Sequence, residues 1–464
     1  MLYRERDLYL HRHIQMIESY YYTPALLSLL DSLAEDREAW YRRNRYYHET
    51  LKRIYRFYIP ENQSVLEVGS SLGDLLVALE PSRGVGIDIS ETAVTRATER
   101  HTGNPRVSFS HANIETAELD DTFDYVVMSD VVGYLGDVQA AFEQVRKLMN
   151  PRSRLVLNFY NFVWEPVFRL AQWIGLKKKQ PPQNWLSNDD IANLLTLAGF
   201  EVVHHEGFIL FPKSIPLLTP LINGLFAKLP LLRHLTVAQF VVARPAHTPV
   251  REEAESATVS VIVPARNEAG NIEGAVSRTP HMGKWTEFIF VEGGSSDNTY
   301  EEMLRVKDAY PDLRITVMKQ DGKGKKDAVY KGFAHAEGDI LMILDSDLTS
   351  PPEDLPKFFN AIAYNKGEYI NGVRLVYPME KQAMRLLNLY ANKTFSLLFS
   401  YILGQQYKDT LCGTKVLWKR DWDRIQENRE YFGDFDPYGD FDIIFGAEKL
   451  SLKSIQMPVR YRER

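Results

Sequence analysis

Residues 340–347 read Ile340-Leu341-Met342-Ile343-Leu344-Asp345-Ser346-Asp347. Five apolar side chains in a row predict a buried strand, and two carboxylates stand two residues apart where it runs out. The strand fixes the carboxylates, and paired hard oxygens suit Mg²⁺ or Mn²⁺ held against a diphosphate.

Working outward, Val259-Ser260-Val261-Ile262-Val263 predicts another strand and runs straight into Pro264-Ala265-Arg266-Asn267-Glu268. A third strand, residues 288–291, delivers Glu292-Gly293-Gly294-Ser295-Ser296-Asp297-Asn298-Thr299. Each is a polar cluster at a strand's carboxyl end, where open α/β sheets place ligands. The Asp297 carboxylate can accept hydrogen bonds from a base or ribose, or it can cap the helical run behind it. Gly322-Lys323-Gly324-Lys325-Lys326-Asp327 adds a glycine-rich cationic loop suited to phosphate oxygens. Near the end, Tyr438-Gly439-Asp440-Phe441-Asp442 offers carboxylates for a general base. Arg374 and Arg385 offer cations to dock an acceptor that is already ionised. Apolar residues recur at three- and four-residue steps through residues 379–403 (Met384, Leu387, Ala391, Phe395, Leu398, Ile402), predicting an amphipathic helix or helix pair.

In this order the motifs resemble family 2 glycosyltransferases of the GT-A fold, and within them the dolichyl- or polyprenyl-phosphate sugar synthases. The resemblance spans about residues 258–464 and includes Asp409-Thr410-Leu411-Cys412-Gly413-Thr414-Lys415. It implies that Pro264, Glu268 and Asp297 hold the nucleoside and that Lys323 and Lys326 lie near the diphosphate. Asp345 and Asp347 would bind the metal–diphosphate, with Asp440, Asp442 and Arg374 at the acceptor. Similar proteins continue past a last strand like residues 455–459, whereas this chain stops at Tyr461-Arg462-Glu463-Arg464.

The first half carries a different site. Ser64-Val65-Leu66-Glu67-Val68-Gly69-Ser70-Ser71-Leu72-Gly73-Asp74 predicts a strand, a glycine turn and a helix start, and Val85-Gly86-Ile87-Asp88 ends the next strand on an acid. Missing side chains at the turn let a cofactor approach the backbone. The pattern resembles class I S-adenosylmethionine-dependent methyltransferases over about residues 45–243. That implies cofactor contacts from Glu67, Gly69 and Gly73, ribose binding by Asp88, and adenine reading near Asn113. A dinucleotide-binding dehydrogenase would want Gly-x-Gly-x-x-Gly, which Gly69-Ser70-Ser71-Leu72-Gly73 does not supply. Ser71 stands at the usual middle glycine and is tolerated if its φ stays negative. Ser129-Asp130 should face cofactor and substrate, and His111 and Tyr134 are candidates near the transfer site.

The expected fold class is α/β, with two doubly wound domains. Residues 1–60 should be helical, 61–243 the methyltransferase domain, 244–257 a linker, and 258–464 the glycosyltransferase domain. A length of 464 residues fits several cores, and a net charge of −6 argues against a nucleic-acid partner. The single cysteine, Cys412, excludes an internal disulfide and fits a reducing cytoplasm. No secretory leader and no run of eighteen apolar residues is visible, so a cytoplasmic enzyme, peripheral at the inner membrane face, is expected. The Pro-interrupted apolar segment 212–232 is read either as a lid on its own domain or as a membrane contact. The expected activity is transfer of a hexose from a UDP- or GDP-sugar to polyprenyl phosphate with Mg or Mn, alongside methylation of a glycan- or lipid-related acceptor. The alternative is a glycan or protein hydroxyl as sugar acceptor, with a non-catalytic nucleotide-binding or scaffold first half.

Overall fold

The computed structural model describes residues 22–374 and 386–459, apart from 118, 175–179, 182, 230–231, 406 and 429–438. The chain divides into two compact units, Met1–Ala246 and His247–Arg464.

In the first unit the strands are β1 (Ser64–Val68), β2 (Arg83–Asp88), β3 (Val107–His111), β4 (Phe123–Ser129), β5 (Met149–Tyr160), β6 (Phe200–Phe208) and β7 (Ala238–Pro245). They form one sheet in the order β3-β2-β1-β4-β5-β7-β6. The first five pair in parallel, whereas β7 lies antiparallel to both β5 and β6. Side-chain alternation splits the core between the two faces. Leu66, Val68, Val126 and Met128 pack on one side, and Val65, Tyr125 and Val127 on the other. Against the second face lies the helix Arg45–Tyr58, whose Tyr47, Leu51, Ile54, Tyr55 and Tyr58 recur at helical spacing and are buried. The expected helical start is therefore, over its described part, a cap whose tyrosines complete the core.

The second unit repeats the logic with β8 (Val259–Ala265), β9 (Thr286–Glu292), β10 (Arg314–Lys319), β11 (Ile340–Ile343), β12 (Tyr369–Val373), β13 (Lys415–Trp418) and β14 (Ser454–Pro458). Their order is β10-β9-β8-β11-β13-β12-β14. The four strands β8 to β11 are mutually parallel, while β13 runs antiparallel between β11 and β12. Both sheets are thus mixed rather than wholly parallel, an arrangement common when an antiparallel strand joins a doubly wound sheet. On β11, Ile340 and Met342 face one core cluster and Leu341 and Ile343 the other, so the opening apolar run is buried on both faces.

The segment expected as a plain linker departs from that reading. β7 continues to Pro245, and Arg251–Ser256 is a helix whose Ala254 is buried in the core of the second unit. Of residues 379–403, Leu386–Leu403 is a helix, and Met384 and Arg385 lie outside the described residues. So does Tyr438, together with the first 21 residues and the last five. No described helix is long and apolar enough to cross a membrane.

Candidate functional sites

In each unit one strand pair marks where the strand order reverses, β1/β4 and β8/β11, and the motifs converge at the carboxyl ends of those strands.

In the first unit β1 ends in Gly69 (φ +74°), and Gly73 (φ +74°) precedes the helix Asp74–Ala78. A Cβ at Gly69 would sit 2.6 Å from Val131 Cγ2, and one at Gly73 2.3 Å from the Phe109 ring, so both positions require glycine for space as well as φ. Ser71 adopts φ +50°, not the negative value expected of a tolerated side chain. Two contacts hold it there: its N–H donates to Asp88 Oδ2 at 2.8 Å, and Arg37 Nε donates to its Oγ at 3.0 Å. Asp88 also accepts the Ser90 N–H at 2.9 Å; burial pushes its carboxyl up while these N–H donors oppose the rise. Glu67 is buried, and burial pushes its carboxyl well above the ordinary range although Leu76 N–H donates to Oε2 at 3.1 Å.

Around this loop lies a cavity of about 480 Å³, lined among others by Gly69, Asp88, Asn113, Asp130 and Tyr134. Asn113 spends its Oδ1 on Glu115 N–H at 3.0 Å, which shapes the loop after β3. At the end of β4, Asp130 (φ +54°) accepts from Tyr47 OH at 3.0 Å and Asn158 Nδ2 at 2.6 Å. The residues before β1 supply the opposite wall: Arg37, Trp40, Tyr41 and His48 all line the cavity. Burial, with the charges of Arg37 and Lys52, lowers His48 to about 4, so it is neutral at pH 7. His111 behaves otherwise than expected: it is exposed and its ring nitrogen meets Ile89 O at 3.0 Å, whereas Tyr134 does reach the cavity. A pocket of this size, bordered by Asp88 and by a turn that opens on Gly69, has room for S-adenosylmethionine.

In the second unit Pro264 lies within β8, and the turn after it puts Glu268 and Asn267 (φ +56°) beside the loop following β9. Glu268 accepts from Asn271 Nδ2 at 2.8 Å, and its own N–H donates to Thr299 Oγ1 at 2.9 Å. Asp297 Oδ1 accepts the Thr299 hydroxyl at 2.5 Å and its N–H at 3.1 Å, bonds that hold its carboxyl below the usual range. The turn-forming reading of Asp297 is thus realised, and the exposed face of the carboxylate remains for a ligand.

Asp345 is gripped from two sides. Lys325 Nζ donates to Oδ1 at 2.5 Å, and a Cβ built on Gly413 would lie 1.9 Å from Oδ2. Burial opposes the charge, yet the Lys325 ammonium beside it holds the carboxyl below its ordinary range. Asp347 gives Oδ1 to the Thr349 N–H at 3.2 Å and hydroxyl at 2.8 Å, and no described residue hydrogen-bonds Oδ2. Among the described residues no three His, Cys, Asp or Glu converge as a metal cluster. Two carboxylates with an ammonium already seated on one suit a divalent cation whose remaining ligands come from a substrate diphosphate, the usual arrangement for Mg²⁺. The residues present fit that group.

Three lysines reach acids far along the chain. Besides Lys325 on Asp345, Lys326 Nζ lies 3.0 Å from Asp442 Oδ2 and Lys415 Nζ 2.9 Å from Asp440 Oδ1. Asp442 also accepts the Tyr330 hydroxyl at 2.9 Å. Lys323 stands exposed in front of the helix Gly324–His335. Arg374 forms a two-pronged pair with buried Asp409 (Nε to Oδ2 2.8 Å, Nη2 to Oδ1 2.9 Å), so the structure ties it to the loop that carries Gly413. Cys412 is fully buried, and burial pushes its thiol up to about 11, the behaviour of packing rather than chemistry. Sequence reasoning missed Lys325, Lys415 and Arg37. Only the position of Lys415 at the start of a strand, where a charge is out of place, hinted at its role.

Comparison with known proteins assigns the two units. Residues 39–205 match the methyltransferase domain model and residues 260–425 the glycosyl transferase family 2 model. Dolichol-phosphate mannosyltransferase of Saccharomyces cerevisiae is 39% identical over 108 residues, 22% of this chain and 40% of that protein. Undecaprenyl-phosphate 4-deoxy-4-formamido-L-arabinose transferase of Salmonella paratyphi B is 28% identical over 158 residues, 33% of this chain and 46% of that one. The chain thus spans under half the length of these relatives. Among solved structures, a methyltransferase from Aquifex aeolicus has a TM-score of 0.34 at 18% identity, covering 47% of this chain and 98% of that one. N-methyltransferase NodS of Bradyrhizobium japonicum, solved with S-adenosyl-L-homocysteine, has a TM-score of 0.32 at 17% identity over 43% of this chain and 87% of its own. The first unit thus carries a match to a methyltransferase domain and the second a match to glycosyl transferase family 2.

Proposed function

We propose that the second unit transfers a hexose from a UDP- or GDP-sugar to polyprenyl phosphate, and that the first methylates a glycan- or lipid-related acceptor. The observation that carries the sugar-transfer reading is the clasped Asp345, charged at a strand end between Lys325 and the Gly413 backbone. Both curated relatives aligned to this unit are named for lipid phosphates.

In this reading Pro264, Glu268 and Asp297 line the nucleoside, and Lys323 and Lys326 face the diphosphate. A divalent ion held by Asp345 and Asp347 would orient the leaving diphosphate and neutralise its growing charge. Lys325 keeps Asp345 ionised and aimed, so the carboxylate needs no rearrangement when the donor arrives. A hydroxyl acceptor would need a general base, but Asp440 and Asp442 are each engaged by a lysine. That arrangement favours an acceptor which is already an anion, such as a lipid phosphate. Arg374, committed to Asp409, acts as a positioning residue for the Gly413 loop rather than as the acceptor's own cation.

In the first unit Gly69 and the turn through Ser71 line the cofactor's amino-acid end, with Gly73 holding the turn's shape behind them; Asp88 meets the ribose, and Asn113 borders the adenine. S-adenosylmethionine would supply an electrophilic methyl. The protein's contribution is alignment within this cavity, which is sufficient for a sulfonium donor.

The test is to incubate the whole chain with radiolabelled UDP- and GDP-hexoses, a polyprenyl phosphate and Mn²⁺, and to follow label into organic solvent. Lipid-borne label that disappears in Asp347→Ala is the expected result. Label reaching only water-soluble glycan or protein would overturn the acceptor assignment.

A further inference from the structure

Two stretches of the first unit expose apolar side chains, with basic residues among them. The helix Glu165–Trp173 packs inward through Phe168, whose ring lies 5.4 Å from Tyr160 and 6.2 Å from Trp164. Its Val167, Leu170 and Trp173, with Ile174 beyond, point to solvent at three- and four-residue steps, and Trp173 is 84% exposed. The second contributor is the proline-interrupted segment before β7. Leu217 is 90% exposed, and Leu218, Leu221, Leu225 and Leu229 are exposed with it. Leu217 sits at φ +65°, immediately before the helix Leu218–Gly224.

The residues flanking these stretches meet: Trp164 Nε1 donates to Leu235 O at 2.7 Å, and Asn161 Nδ2 donates to His234 O at 2.7 Å, beside the start of β7. Isolated exposed leucines are ordinary, whereas this many exposed apolar side chains on two segments joined at their ends mark a contact surface.

Charge selects the partner. Among the described residues, 162–174 and 212–235 carry Arg169, Lys213, Lys228 and Arg233 against the single acid Glu165. The whole chain has the opposite balance, with 61 acids to 55 bases. A second copy docking through the same face would bring two basic rims together, which is repulsive. A bilayer surface with anionic headgroups accepts both parts of the pattern: leucines and tryptophan enter the headgroup–acyl boundary while lysine and arginine stay with the phosphates.

We propose that the methyltransferase unit lies on anionic lipid through this face, with Trp173 and Leu217 inserted. The docking is independent of which acceptor either transferase uses.

The experiment sediments the full chain with sucrose-loaded vesicles of phosphatidylglycerol and phosphatidylcholine, or of phosphatidylcholine alone, at low and high salt. No nucleotide sugar, methyl donor or acceptor is present, so the outcome does not depend on the transferase assignment. The expected result is co-sedimentation with the anionic vesicles, weakened by salt, and a blue-shifted tryptophan emission lost in Trp173→Phe. Trp173→Glu with Leu217→Glu should lower binding at least about tenfold, and Arg169→Glu with Lys228→Glu by a similar factor, since each basic side chain near such a surface contributes about 1 kcal/mol. All four positions lie at the surface, and an unchanged unfolding midpoint verifies that the variants fold. Equal sedimentation of variants and parent, or equal affinity for neutral vesicles, would overturn the proposal. So would a change in self-association with no vesicle binding, which would assign the face to a second copy.

Discussion

Replacing Gly413 with alanine probes the glycosyltransferase site through a single methyl group. The Gly413 backbone is not in the left-handed region, so alanine meets no conformational penalty there and the effect is one of contact alone. The new Cβ would lie 1.9 Å from Asp345 Oδ2 and 2.5 Å from its Cγ, where ordinary contact begins at 3.4 Å. The carboxylate must therefore retreat by roughly 1.5 Å, the scale on which van der Waals repulsion relaxes. It cannot simply swing aside, because Lys325 Nζ holds Oδ1 at 2.5 Å and the side chain is backed by β11. A misplacement of about 1 Å in a positioned catalytic group costs on the order of 100-fold in rate, equivalent to ~2.7 kcal/mol of transition-state stabilisation. The assay is kcat/KM for nucleoside diphosphate release in the presence of lipid phosphate, with thermal unfolding measured alongside. Gly270→Ala is the control, since nothing lies within 4 Å of its added Cβ. It should stay within about twofold of the parent, given how little surface substitutions away from special features do. If Gly413→Ala retains parental activity and the same unfolding midpoint, Asp345 is not the group that positions the donor.

Three further outcomes follow from the same geometry. Lys325→Met removes the largest of the charges that oppose burial at Asp345, leaving Lys415 and Arg374, so the acid limb of the pH–rate profile should move upward; an unmoved limb with a lower plateau would contradict that origin. His204, buried against the Tyr58 hydroxyl at 2.8 Å, is lowered by burial from 6.5 to about 4. Because its folded value lies below the unfolded one, the unfolded chain binds more protons between them. Stability is then full above about pH 6.5 and falls by about 2 kcal/mol towards pH 5. Denaturant unfolding of parent and His204→Gln at both pH values checks this, and equal acid sensitivity would refute it. Asp88→Ala removes the acceptor of the Ser71 and Ser90 N–H groups, and should abolish S-adenosylhomocysteine binding by calorimetry while nucleotide binding persists.

What the sequence made legible was whatever local pattern dictates. The run 340–344 had to be a strand buried on both faces, and a polar cluster after a buried strand had to lie at the sheet's carboxyl edge. Both halves could be read as α/β on that basis. The antiparallel placement of β7 and β13 was not legible, because pairing between distant strands leaves no periodic trace. Nor were the Lys325–Asp345, Lys326–Asp442 and Lys415–Asp440 pairs, since each joins residues on separate elements that only the fold brings within 3 Å. The residues before β1 read only as helical, with nothing to mark Arg37 and Tyr41 as cavity lining. Their part in the cavity depends on the angle at which those helices cross the sheet. At Ser71 the sequence left the backbone open between a crowding Cβ and one tolerated at negative φ, and the structure has φ +50° with the N–H donating to Asp88 and the hydroxyl oxygen accepting from Arg37. The helix Arg251–Ser256 escaped notice because six residues are too few to show periodicity.

The central claim is that one chain holds two separate transferase sites, and calorimetric titration of the whole protein tests it most directly. S-adenosylhomocysteine and one of UDP or GDP with Mn²⁺ should each bind once. Asp88→Ala should erase only the first isotherm and Asp347→Ala only the second. Loss of both isotherms in either variant, or no binding of any nucleoside diphosphate to the parent, would contradict the account.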